Sequence, residues 1–431
     1  MAALSRRSLL TGAAGLGVLS LSAALSACSS PASISAGTDE LTLWYWPRSM
    51  NPSALKDAAH GIPGTNKRLN AMTPANTNWD TRLRTSLAGN ADVPDIVAIN
   101  SNVSLYFFDE DMFVDMNKFG AQSFKSQYFD WKWSYGETPS GRMCFFPIDS
   151  GPTGFYYRAD VFAKAGLPTD PDAVSAAVRT WPEWIELGKQ LRAKTGSHLL
   201  INSTQLFNQI VNASPERYFN RAGDPLYTRP GSAIKDAWDI AVTAIKAGVL
   251  GNQQIATDQN AGWVTGKTAG HIEAVWWAQI LLDTAPKTKG SWRLASQPVR
   301  AGNSGGSFLA IPHTCQDPEA AFKFITWSQT AARQAQAYNE VQLFPSTPAA
   351  LTGGTMKDAS HGFFGPQDSL AFFKTQAETV PSAFISPYEQ IANYFTTEIA
   401  NVEAGGKDPN RAWDDAVNET NQVLRKHGVN V

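Results

Sequence analysis

Residue types able to do chemistry are sparse in this chain and widely spaced. Six His stand at positions 60, 198, 271, 313, 361 and 427, with no His-Glu-x-x-His run and no short ligand spacing, which argues against a zinc centre. Gly302-Asn303-Ser304-Gly305-Gly306 has the lettering of a hydrolase nucleophile elbow. That chemistry needs a strand before the serine and a helix after it, yet the apolar run Phe308-Leu309-Ala310-Ile311 that follows is strand-like. Gly262-Trp263-Val264-Thr265-Gly266-Lys267-Thr268 has three residues between its glycines, where a phosphate-cradling loop needs four. Asp109-Glu110-Asp111 with Asp115 lacks the central glycine of a calcium loop and reads as a solvated helix end. Paired carboxylates for glycoside hydrolysis need no local motif, so spacing leaves that chemistry open. The feature that stands out is aromatic: 14 Trp against three Cys.

The 431 residues are enough for two or three domains with full cores. Hydrophobic residues make up 43% and charged residues 17%, which excludes wholesale disorder. The net charge of −2 comes with no long basic run, so no nucleic-acid partner is expected.

The elements that must position any site follow from local pattern. Leu41-Thr42-Leu43-Trp44-Tyr45-Trp46 is an apolar run stopped by Pro47 and reads as a buried strand. Trp79, Leu83 and Leu87 mark one helix face, and Pro94-Asp95-Ile96-Val97-Ala98-Ile99 is a second buried strand. Strand, helix, strand is the parallel crossover of an α/β layer. Ligands sit beyond the carboxyl ends of such strands, which puts Trp46, Arg48, Asn100 and Asn102 on a candidate rim. Residues 47–78 show no clear strand. Residues 144–152 read as a strand running into a Pro/Gly crossing, with Phe155-Tyr156-Tyr157 strand-like beyond it. Thr180 and Glu183 have the spacing of a capping box, opening a helix to about Lys194. Further helices are expected over 233–247, 272–283 and from Asp317. Residues 388–426 read as helical, broken near Gly405-Gly406, and residues 305–312 as a glycine-led strand. Trp181, Trp184, Trp327 and Trp413 lie on helical faces and are expected in the core.

The first residues set a compartment. Arg6 and Arg7 precede an uncharged stretch over 9–27 rich in Gly, Ala and Ser, which suits a signal peptide better than a membrane span. Ser5-Arg6-Arg7-Ser8-Leu9-Leu10 resembles a twin-arginine export signal. Leu25-Ser26-Ala27-Cys28 resembles a bacterial lipobox, with Cys28 lipidated and residues 28–38 a flexible tether. Loss of residues 1–27 removes two Arg and leaves 404 residues with a net charge of −4. An exported protein on the outer face of the cell membrane, held by lipid alone, is the expectation. Cys144 and Cys315 are left either to pair or to stand as two buried thiols.

Several segments, in order, resemble the family 1 extracellular solute-binding lipoproteins of bacterial ABC importers, the carbohydrate-binding, maltose-binding-protein-like kind. They are residues 146–168, the Thr180-Trp181 helix start, residues 266–276, Gly305-Gly306-Ser307 through Pro312, Pro318 to Phe324, Phe344-Pro345-Ser346 and Phe364-Gly365-Pro366-Gln367. The resemblance implies an α/β, periplasmic-binding-protein-like fold of two lobes joined by a multi-strand hinge. Lobe 1 would comprise 39–149 and 308–383, lobe 2 150–307 and 384–431, with crossings near 149–152, 305–308 and 381–387.

It implies capture of a sugar or oligosaccharide by hinge closure and delivery to ABC permease subunits, without catalysis or cofactor, by a monomer. Trp276 would be the stacking plate, with Trp277 its neighbour about 100° around a helix. Trp46 would be a second plate, and Asp149 a hydroxyl acceptor at the first crossing. Gly151, Gly305 and Gly306 would give close backbone approach or hinge freedom. Arg48, Asn100, Asn102, Gln205, Asn208, Gln367 and Tyr388 complete the candidates. A secreted glycan-active hydrolase and a surface lipoprotein without a small ligand remain open as alternatives.

Overall fold

The computed structural model describes residues 39–75, 78–358, 360 and 362–431. The signal peptide, Cys28 and the tether lie outside the described residues. Strands run in chain order as β1 (Glu40–Trp44), β2 (Arg68–Met72), β3 (Ile96–Ile99), β4 (Phe146–Pro147), β5 (Thr153–Arg158), β6 (Gly270–Ala274), β7 (Trp292–Ala295) and β8 (Phe308–Ala310). The helices used below are α1 (Pro52–Ala58), α2 (Trp79–Gly89), α3 (Asp130–Ser134), α4 (Trp181–Thr195), α5 (Ser203–Asn212), α6 (Ala233–Ala247), α7 (Trp277–Thr284), α8 (Pro318–Ser328), α9 (Ala331–Val341), α10 (Ser369–Thr379), α11 (Asn393–Gly405) and α12 (Pro409–Lys426).

The first sheet has the order β2-β1-β3-β8-β4. β1 pairs in parallel with β2 and β3, and β8 runs antiparallel to β3 and β4. Its inner strands β1, β3 and β8 carry apolar residues on both faces. Leu41, Leu43, Ile96, Ala98 and Leu309 enter one core layer, while Trp44, Val97, Ile99, Phe308 and Ala310 enter the other. Both faces are therefore covered, which is why the strands read as continuous apolar runs. Thr42 fixes the crossover: its backbone N and Oγ1 each donate to Asp95 Oδ2 at 2.8 Å.

The second sheet, β6-β5-β7, is antiparallel throughout. Phe155, Tyr157 and Ile272 pack against Trp184, Leu187 and Leu191 of α4. Tyr156, Trp292 and Leu294 pack on the other face with Trp277, Phe364 and Phe373. A helical layer of α5, α6, α11 and α12 completes this lobe around Trp238, Phe395 and Ile399. The α4 capping box forms: Thr180 Oγ1 accepts from Glu183 N at 3.3 Å, and Glu183 Oε2 accepts from Thr180 N at 3.0 Å.

Three local expectations are corrected. Residues 47–78 hold both α1 and β2. β2 is an edge strand buried only at Leu69, so its apolar signal is weak. Residues 272–283 are not one helix: β6 is a strand buried at all five positions and α7 starts at Trp277. Complete burial removes the alternation that marks a strand. The third crossing lies at 344–346 rather than 381–387. Ser150 N donates to Phe344 O at 2.8 Å, Ser150 Oγ to Pro345 O at 2.7 Å, and Ser346 Oγ to Ile148 O at 3.0 Å. The chain after it does not return to the first lobe's sheet. Phe373 of α10 packs 5.9 Å from Tyr156, so this region belongs with lobe 2 and the lobe 1 boundary at 383 is moved back. Residues 380–391 still brush lobe 1, where Gln390 Nε2 donates to Ser104 Oγ at 3.3 Å. Cys144 and Cys315 are free and buried thiols.

Thr180→Ala removes an N-cap and is expected to cost about 1 kcal/mol of stability, read as a lower urea midpoint with an unchanged slope.

Candidate ligand cleft

On lobe 1 the ends of β1 and β3 and the first turn of α2 converge. Trp46 leaves β1 and meets Trp79 edge to face, with ring centroids 5.3 Å apart and planes at 78°. Trp79 opens α2 after its cap Asn78, and its Nε1 donates to Ala98 O at 3.1 Å. That bond holds the indole against the end of β3. Beside it, Asp80 accepts from Asn102 Nδ2 and from the Tyr106 hydroxyl, both at 2.7 Å. Burial and this carboxylate together raise the Tyr106 pKa well above its ordinary value. Trp46, Pro47, Thr73, Pro74, Ala75, Trp79, Asp80 and Asn100 enclose a groove of about 450 Å³. That is within the range of small-molecule sites.

On lobe 2, Trp276 is 36% exposed. Its Nε1 donates to Ser304 O at 2.9 Å, tying the ring edge to the second crossing. The ring lies against Gly305, where a Cβ would come within 3.0 Å of the indole nitrogen. Gly305 and Gly306 have φ of +90° and +83°, so both the backbone and the ring exclude a side chain at Gly305. Three residues before Trp276 in the chain, the buried Glu273 accepts from Gln205 Nε2 at 2.9 Å, Gln209 Nε2 at 3.2 Å and Ala274 N at 2.9 Å. Burial raises its pKa, and bonds from Ser304, Ala274, Gln205 and Gln209 oppose that rise.

The other candidates divide. Asn100 is exposed on the groove, its Oδ1 accepting from Ser101 N at 2.7 Å. Asn102 orients Asp80, and Gln205 orients Glu273. Asn208 is half-buried on α5 one turn beyond Gln205. Arg48, at φ +68°, reaches across from lobe 1 to Asp283 of α7, 3.8 Å away. Both side chains are well exposed, so water screens this pair. Tyr388 sits at the seam between the lobes, 5.2 Å from the ring of Phe108.

Four assignments are corrected. Trp277 is core, ringed by His271 at 4.3 Å, Tyr156 at 4.7 Å and Trp263 at 5.0 Å. Burial there depresses the His271 pKa to about 3. Gln367 acts as a strand substitute: it donates to Leu294 O at 2.7 Å and accepts from Leu294 N at 2.8 Å, along the edge of β7. Asp149 is buried and accepts from Ser307 N at 2.6 Å, so it serves the hinge. Gly151 is the contact point of two crossings, where a Cβ would strike the Ser304 carbonyl. Trp79, Asp80 and Glu273 were missing from the sequence candidates. A Trp-Asp pair directly after a helix cap beside the Asn100 rim is the signal for the first two; Glu273 inside a strand left none.

Two α/β lobes joined by three adjacent crossings, with exposed indoles on each lobe, are the architecture of a ligand-binding protein. Residues 64–335 match the family described as bacterial extracellular solute-binding protein, and the chain belongs to that family. It is 26% identical over 385 residues to the lactose-binding protein of Rhizobium radiobacter, covering 84% of this chain and 88% of the relative. A crystal structure of an extracellular solute-binding protein family 1 member superposes with a TM-score of 0.84 at 26% identity, over 89% of this chain and 99% of the other. A shorter stretch of 91 residues is 35% identical to the sn-glycerol-3-phosphate-binding periplasmic protein of Brucella abortus, over 21% of this chain and 20% of the relative.

The two neighbouring tryptophans are separable. Trp277→Ala is expected to cost about 3–5 kcal/mol of stability, whereas Trp276→Ala is expected to change it by less than about 1 kcal/mol. Denaturant midpoints of the two variants check this.

Proposed function

We propose that this protein captures a neutral sugar or oligosaccharide between its lobes and hands it to the permease of an ABC importer, without chemical turnover. A sugar ring offers apolar C–H faces and a belt of hydroxyls. It therefore calls for an indole face below and carboxylate or amide groups at its edge. The groove with Trp46, Trp79, Asp80 and Asn100 has that composition, and it carries the proposal. Trp276 supplies an indole on the opposite rim, and the lactose-binding relative supports the ligand class.

The shorter likeness to glycerol-phosphate-binding proteins suggests a phosphate ester instead. Among the described residues lining the groove, Asp80 is the one that carries charge, and it is acidic. Arg82 reaches the groove's edge, where its Nη1 donates to Ala75 O at 3.2 Å, but a phosphate inside would meet the Asp80 carboxylate, so we favour a neutral ligand. Micromolar capture needs about 8 kcal/mol in total. Stacked rings and a few hydrogen bonds to charged groups can supply that after ordering costs.

The export and anchoring part of the proposal rests on the first 28 residues. Among the described residues no helix is long and apolar enough to cross a membrane. A lipid on Cys28 would keep the cleft at the cell surface, near its permease.

Isothermal titration of the protein lacking residues 1–27 against mono-, di- and oligosaccharides and sn-glycerol 3-phosphate tests the ligand class. We expect micromolar binding to at least one sugar and none to the phosphate ester. Trp276→Ala is expected to weaken the sugar by about tenfold or more, the loss of about 1.4 kcal/mol or more. Binding of the phosphate ester alone would overturn the sugar assignment, and hydrolysis of a bound glycan would overturn the non-enzymatic one. In cells, Cys28→Ala should move the protein from the membrane fraction to the soluble one; retention on the membrane contradicts the lipid anchor.

A further inference from the structure

Lys132 of α3 is completely buried, and its Nζ has no hydrogen-bond partner among the described residues. A lysine ammonium in that position is costly unless something else holds it. What surrounds it is the hinge. Nζ lies 3.4 Å from the centroid of the Phe308 ring, at the start of β8. On the second crossing, a Cβ on Gly306 would come within 3.0 Å of Nζ and 2.7 Å of the Asp149 carbonyl. On the first crossing, Asp149 is the charged group that acts on it. Asp149 in turn accepts from the Ser307 amide at 2.6 Å, which joins the first crossing to the second. The ammonium therefore plugs the junction through which both chains must twist when the lobes move. Gly305 and Gly306, with φ of +90° and +83°, are the adjacent residues of that junction.

We propose that Lys132 is a positioning residue for lobe closure: its buried ammonium keeps the Asp149 carboxylate ionised and in its bond to the Ser307 amide, so the charge pins the first and second crossings together. The proposal deepens the ligand reading above and rests on it for its effect on affinity, but the pin itself can be read without ligand. Phe308 holds the cation through its ring face. Gly306 is needed because a side chain there would displace the ammonium.

The pin is sensitive to pH. Burial lowers the Lys132 pKa to about 7, and the opposite charge of Asp149 only partly offsets that. Burial also raises the Asp149 pKa, against the pull of Lys132 and the Ser307 amide. Below about pH 7 the ammonium is charged. Above it Asp149 loses its counter-charge and the bond to Ser307 loosens. The sign for stability follows. The folded pKa lies below the ordinary 10.5, so between about 7 and 10.5 the unfolded chain holds a proton that the folded chain does not. The contribution of this group to stability therefore rises with pH through that window.

Hydrogen exchange at the Ser307 amide, corrected for intrinsic exchange, tests the pin on the unliganded protein. From about pH 6 to pH 8.5, protection should fall about fivefold in the native chain and less than about twofold in Lys132→Met. Over the same range the sugar dissociation constant should rise about threefold in the native chain and stay level in Lys132→Met. Equal pH slopes in both proteins would overturn the pin. The expected protection with no sugar binding would keep the pin and overturn the ligand class instead. Should Lys132→Met fail to fold, Asp149→Asn serves: with no carboxylate to keep ionised, the pH step in Ser307 protection should disappear, and a step that persists unchanged would overturn the proposal.

Discussion

The three crossings lie so close that their contact points have no room for side chains. Gly151 rests on the Ser304 carbonyl and Gly306 rests on the Asp149 carbonyl. Ser150 reaches the third crossing through both its amide and its hydroxyl. This three-way contact sets the geometry of everything that follows. It brings β8 back into the first sheet beside β4, sends β5 into the second, and leaves the cleft between them. It also fixes Trp276, whose indole is tied to the Ser304 carbonyl of the second crossing. If Trp276 is the stacking ring proposed above, its bond to the second crossing would link stacking to hinge motion.

Recognition then needs little further invention. Lobe 1 contributes two indoles at right angles and a carboxylate already oriented by Asn102 and Tyr106. Lobe 2 has an exposed indole, Trp276, and a buried carboxylate, Glu273, oriented by Gln205 and Gln209. The second carboxylate, Glu273, is buried and engaged by its own lobe. Asp80, by contrast, lines the groove. A ligand that binds the closed form better than the open one shifts the balance by that difference and no more.

Much of this frame was legible from local pattern. β1, α2 and β3 declared themselves through apolar runs and the spacing of Trp79, Leu83 and Leu87, and Thr180 with Glu183 through capping chemistry. Trp46 and Asn100, picked out because they follow strand ends, do line the groove. What was not legible depends on long-range contact. β2 is a half-exposed edge, β6 is wholly buried, and neither carries a period. The choice between Trp276 and Trp277 turns on which indole meets Ser304 and which meets Tyr156, and no spacing encodes that. Gln367 and Asp149 are polar residues in promising places whose partners, Leu294 and Ser307, lie far away in the chain. The third crossing was misplaced because the bonds of Ser150 to 344 and 345 join segments nearly two hundred residues apart.

The central claim is that the two lobes close on a sugar around a hinge built from these crossings. Small-angle X-ray scattering of the protein with and without a saturating disaccharide tests it most directly. The account predicts a smaller radius of gyration once the sugar is bound. An unchanged radius under conditions where calorimetry shows the sugar bound would contradict it.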